Sequence, residues 1–237
     1  MRFSKFIFPL VVGLAFLAGI VTHKIMQRYG ISLRNTLGIV DSAALVRNNI
    51  IKRRTSSQYV AIRDFFEAYP GHSDVIMFGG SRIAFADWAL LLGRPVSNRG
   101  IYGDTTESAL LRINPIIAAH AKCVVTMLGI GDFAAGRSVE STFSDYAAII
   151  DRLTKSGTTV LVQSTLPSEA PYTLGPLVKD LNLRLRKSCK DRCLFLDLDN
   201  LAKPGWTIDG AHLKPATYAK WAEELKPVVA ANCGASR

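Results

Sequence analysis

Five short apolar runs, at residues 74–78, 95–98, 123–128, 158–163 and 193–198, recur between stretches of helical periodicity, and this alternation restricts the fold more than any other feature of the chain. Each run is four to six residues long and rich in Val, Ile, Leu or Phe, and most do not alternate with polar residues. A strand with one face in water alternates. A strand covered on both faces does not, because side chains of either direction meet an apolar layer. Between the runs, Val139, Phe143, Tyr146, Ala147, Ile150 and Leu153 fall at helical spacing, with Gly157 as a stop. Leu174, Leu177, Val178, Leu181 and Leu185 do likewise, as do Tyr218, Trp221, Ala222, Leu225 and Val229 behind Pro215. The segment after Asp104 is apolar at helical spacing as well, but Pro115 should kink or end it. Strands alternating with helices predict a parallel sheet covered on both faces: a flavodoxin-like three-layer α/β/α sandwich with five strands.

The organisation along the chain follows from composition. The formal charge of +10 invites a nucleic-acid reading, but nine Lys and Arg against Asp41 alone stand in residues 1–60, and the rest is nearly balanced. No zinc-finger, homeodomain or RNA-recognition pattern accompanies them, so no nucleic-acid partner is expected. Basic residues instead flank an apolar run, sixteen residues without a charge from Phe6 to Val21. A spanning helix needs roughly 17–25 residues, so residues 6–22 read as a transmembrane anchor, with a cleaved signal segment as the alternative. The expected division is an anchor or signal segment at 1–22, a basic and mostly helical stalk at 23–70, an α/β domain at 71–232 and a tail at 233–237. The large domain is expected on the exported side. Cys189 and Cys193 could close a small disulfide loop there or remain free thiols; Cys123 opens an apolar run and reads as a buried thiol. No Cys pair has zinc-ligand spacing, and no metal or organic cofactor is expected.

Polar residues then fall where such a sheet would put them to use, at the carboxyl ends of strands. The first run ends in Gly79-Gly80-Ser81-Arg82, and the second leads into Asn98 to Thr106, with Gly103 inside it. The third ends in Gly129-Ile130-Gly131-Asp132, and Asp209-Gly210-Ala211-His212 stands before the last helix. Two intervening residues let a carboxylate and an imidazole share one turn, so that Asp209 can fix the tautomer of His212. Singly, each of these pieces is as well explained by a turn, a cap or a loop histidine.

In this order the four blocks resemble those of the SGNH (GDSL-type) hydrolase family, over residues 70–232, and most nearly its small bacterial lysophospholipase/thioesterase-like and platelet-activating-factor acetylhydrolase-like members. The resemblance implies Ser81 as nucleophile, His212 as general base and acid, and Asp209 as its orienting acid. It implies an oxyanion hole from the backbone N–H groups of Ser81 and Gly103. Two positions depart from the pattern. Gly80 replaces the Asp of Gly-Asp-Ser, a position without a catalytic role. Gly131 replaces an Asn whose side chain is an oxyanion donor. Losing one such donor typically costs roughly 10²–10³ in turnover, and Arg82, beside the implied nucleophile, or a substrate group or water in the space left by the side chain, would have to compensate. The implied activity is hydrolysis of acetyl or short acyl esters on a glycan or lipid. A catalytically degenerate glycan- or lipid-binding protein and an O-acyltransferase using the same site are the alternatives.

Overall fold

The computed structural model describes residues 42–170, 172 and 174–234. Five parallel strands form one sheet: β1 (Val75–Gly79), β2 (Val96–Gly100), β3 (Cys123–Met127), β4 (Thr159–Gln163) and β5 (Leu194–Leu196). Their order is β2-β1-β3-β4-β5, that of flavodoxin-like folds. The expected runs coincide with these strands to within a few residues. The largest differences are at the two edges, where β2 starts one residue late and runs to Gly100, and β5 keeps only three residues.

The absence of polar alternation has its cause in the packing. Ile76, Phe78, Val124, Val160 and Val162 face one core, while Val75, Met77, Val125, Met127 and Leu161 face the other. Helices α1 (Ser42–Arg54) and α2 (Ser57–Ala68) precede the sheet, and α3 (Ser81–Ala84) and α4 (Trp88–Leu92) follow β1. The segment between β2 and β3 forms α5 (Thr106–Leu111) and α6 (Asn114–Ala118), and α7 (Ile130–Ala134) follows β3. The long helices are α8 (Val139–Lys155), α9 (Gly175–Cys189) and α10 (Pro215–Asn232). The first core is roofed by Tyr146, Ile149, Ile150 and Leu153 of α8 and Val178, Leu181 and Leu185 of α9. The second is roofed by Trp88 and Leu92 of α4 and Trp221, Leu225 and Val229 of α10. Pro115 acts as expected: α5 stops at Leu111, and Pro115 lies in the first turn of α6, where its missing N–H costs nothing.

Three expectations change. The compact unit starts at Asn48 rather than at residue 71. Its early helices are packed rather than stalk-like, since Ile50 and Tyr59 are buried. Cys123 is buried but not a free thiol; it is bonded to Cys233, because α10 ends beside the first residue of β3. Cys233 therefore belongs to the domain and not to a tail. Cys189 and Cys193 are bonded to each other, the first of the two readings. Residues 6–22, where the anchor is expected, lie outside the described residues; among those described, no helix is long and apolar enough to cross a membrane.

Candidate active site

Strand β1 is buried throughout and delivers Ser81 to the first turn of α3, at the carboxyl edge of the sheet. The strand order reverses between β1 and β3, the place where open α/β sheets leave a crevice. Asn98 of β2 fixes the segment that carries the serine. Its Nδ2 donates to Ile83 O at 3.0 Å and Ala86 O at 2.9 Å, and its Oδ1 accepts from Gly100 N at 2.9 Å. The Arg82 side chain is buried. Its guanidinium donates to Ala211 O at 2.9 Å, to Pro167 O at 2.7 Å and to Leu166 O, and lies over the Trp206 ring. Burial lowers its pKa to about 10, so it remains cationic at neutral pH. Three of its N–H groups go to carbonyls, which makes it a strut between the serine segment and the residue before His212.

Asp209 and His212 share one turn, as the spacing predicts. Asp209 Oδ1 accepts the backbone N–H of Ala211 at 3.0 Å and of His212 at 2.8 Å, and its Oδ2 lies 2.6 Å from His212 Nδ1. The bond to the imidazole and these two N–H groups hold the Asp209 carboxyl well below the usual carboxylate range. With Nδ1 facing Asp209, Nε2 is left as the proton acceptor. Glu169 anchors the turn from outside. It accepts from Gly205 N at 2.6 Å and Thr207 N at 2.8 Å and from the Thr207 hydroxyl, while its own N–H donates to Gly210 O at 2.7 Å. The imidazole is flanked by Phe85 at 5.2 Å and Tyr102 at 5.9 Å between ring centres, both half exposed.

Gly103 and Gly131 come together between these parts. Gly103 has φ +76°, a conformation that side chains disfavour. At Gly131 the constraint is contact: a Cβ there would lie 2.3 Å from Asp104 O. The place of the usual Asn side chain is thus filled by backbone. That backbone is firmly held, because the Asp104 side chain is buried and accepts Tyr59 Oη at 2.9 Å and two Arg112 N–H groups at 2.6 and 2.9 Å. Asp132, next to Gly131, is buried too. It accepts Thr106 N at 2.9 Å, Thr106 Oγ1 at 2.7 Å and Arg137 Nη1 at 2.9 Å. Burial pushes its carboxyl up to about 6 against the pull of these donors.

Ser81, Gly103, Gly131 and His212 line one cavity of about 640 Å³, and Lys52 and Arg53 line it as well. Among the described residues no hydrogen bond joins Ser81 to His212; such bonds are often long without substrate and tighten only in the complex. Sequence reasoning places the serine, the carboxylate–imidazole pair and both glycines in one site. It misses Arg53, Tyr59 and Glu169, each of which acts on backbone or on a residue distant in the chain, so that no local pattern marks it.

A family model described as GDSL-like Lipase/Acylhydrolase matches residues 76–220, well over half of the chain. Among solved structures, a protein from Streptococcus pneumonia described provisionally as a platelet activating factor superposes with a TM-score of 0.65 at 18% identity, covering 79% of this chain and 98% of that one. A GDSL-like lipase from Bacteroides thetaiotaomicron gives 0.58 at 20%, covering 78% and 96%. Est24, a carbohydrate acetylesterase from Sinorhizobium meliloti, gives 0.57 at 17%, covering 68% and 99%. At these identities the likeness is one of fold. No curated protein is a significant match.

Proposed function

The chain belongs to the GDSL-like lipase/acylhydrolase family, and from that premise we propose that it is a serine hydrolase of carboxylic esters in which Ser81, His212 and Asp209 act together. The observation that carries this is the Asp209–His212 pair, 2.6 Å apart and set by two backbone N–H bonds, on the wall of the cavity that also holds Ser81. His212 Nε2 takes the Ser81 proton as Oγ adds to the ester carbonyl, and Asp209 stabilises the imidazolium. The carbonyl electron pair moves to oxygen, where the N–H groups of Ser81 and Gly103 receive it. Collapse breaks the ester bond, and His212 protonates the departing alcohol. Water then repeats the sequence on the acyl-enzyme and frees the acid.

Acetyl or short acyl esters on a glycan are the substrate class this reading favours. Phe85 and Tyr102 are half exposed and pack beside His212, and exposed aromatic rings at such a site can stack on sugars. We also place the domain on the exported side, held by residues 6–22; the two bonded cysteine pairs support an oxidising compartment.

The deciding experiment is hydrolysis of p-nitrophenyl acetate, butyrate and octanoate by the full-length chain and by Ser81→Ala. We expect turnover of the acetyl and butyryl esters that the mutation reduces to background. Equal rates in both proteins would rule out Ser81 as nucleophile.

A further inference from the structure

The oxyanion site has lost a side-chain donor at Gly131, and a second side chain reaches the same place from α1, a helix that precedes the sheet. The last turn of α1 carries Lys52, Arg53 and Arg54. Arg54 turns outward to Glu107 at 3.6 Å. Arg53 turns inward. Its stem crosses Gly103, where an added Cβ would lie 3.7–3.9 Å from Cδ, Cγ and Cβ of the arginine. Its Nη1 donates to Gly131 O across 3.4 Å. Among the described residues this long bond is the only one its guanidinium makes, and it has no carboxylate partner.

We propose that Arg53 is a catalytic residue that replaces the absent Asn side chain by donating to the oxyanion formed on the substrate carbonyl. The assignment rests on the serine-hydrolase reading above. Three observations converge on it. Arg53 touches both glycines that bracket the oxyanion position, and it lines the cavity shared by Ser81 and His212. The other cavity-lining guanidinium, Arg82, is spent on three carbonyls. The space where an Asn would have reached inward is occupied by Asp104 O, so a donor has to come from outside the block. A guanidinium has five N–H groups in a fixed fork. Letting go of one long bond to Gly131 O costs little, and the charge gained on the oxygen as the serine adds is what a cation stabilises more in the transition state than in the ground state.

The test uses full-length protein and Arg53→Met, which keeps the stem over Gly103 and removes every donor, with Arg53→Lys beside it. On p-nitrophenyl acetate, a neutral ester, Arg53→Met should lower kcat by roughly 10²-fold or more with KM changed only a few-fold, the loss expected of an oxyanion donor. Arg53→Lys should recover part of it. Unchanged kcat in Arg53→Met would overturn the assignment. So would a loss confined to KM and to an ester carrying a carboxylate, such as mono-p-nitrophenyl succinate, which would make Arg53 a binder of substrate anions. Covalent labelling by a neutral p-nitrophenyl phosphate triester, read by intact mass on wild type and Ser81→Ala, separates this from the broader reading. If wild type is neither labelled nor active, the serine-hydrolase reading falls and Arg53 falls with it. If Ser81 is labelled and only the Arg53 result fails, the reading stands without this residue.

Discussion

At the scale of single residues, the departure at position 131 is an adaptation of the backbone rather than a simple loss. A donor replaced by glycine suggests at first that restoring Asn would restore rate. The 2.3 Å approach of Asp104 O to the Cβ position argues the opposite. Asp104 cannot withdraw without disturbing its bonds to Tyr59 and Arg112, so the new side chain would displace the backbone around Gly131 instead. Gly131→Asn should therefore lower both kcat and thermal stability; a rise in kcat with p-nitrophenyl acetate would refute this account. The residues legible from sequence at this scale were those whose chemistry is local. Asp209 and His212 share a turn, and Ser81 follows its own strand. Arg53 was not legible, because its acceptor is the carbonyl of a glycine 78 positions away. Arg82 is misleading for the converse reason: adjacency to Ser81 says nothing about which way a side chain points.

At the scale of elements, the strands could be read because burial on both faces writes itself into every position of β1 and β3. The three long helices could be read for a related reason: α8, α9 and α10 each bury a continuous stripe. Helix α1 carries almost no such stripe, only Ile50 among its described side chains being buried, so a basic stalk is the natural reading of its sequence. Helix α2 makes its case through Tyr59, whose hydroxyl supplies one of the three donors on buried Asp104. Tyr59→Phe keeps the ring and strips that donor from a carboxylate that water cannot reach. The expected cost is about 1–3 kcal/mol in urea-induced unfolding, with some loss of activity because Asp104 follows Gly103. A variant as stable as wild type would show that Arg112 alone satisfies the carboxylate.

At the scale of the whole molecule, the two cysteine pairs and the apolar run at 6–22 bear on the same question of compartment. If the domain is exported and held by that run, the full-length protein should sediment with membranes, stay there after a high-salt wash, and take up no maleimide until reductant is added. Recovery in the soluble fraction would exclude the anchor, and four thiols labelled without reductant would place the domain in a reducing compartment. The bond between Cys123 and Cys233 has a further consequence, one of connectivity. It closes residues 123–233 into a covalent ring that contains Gly131, Glu169, Asp209 and His212, while Ser81, Gly103 and Arg53 lie on the open arm leading into it. A single cut in the loop between β4 and α9 would therefore not divide this protein in two: the turn that carries Asp209 and His212 would stay tethered to the arm that carries Ser81.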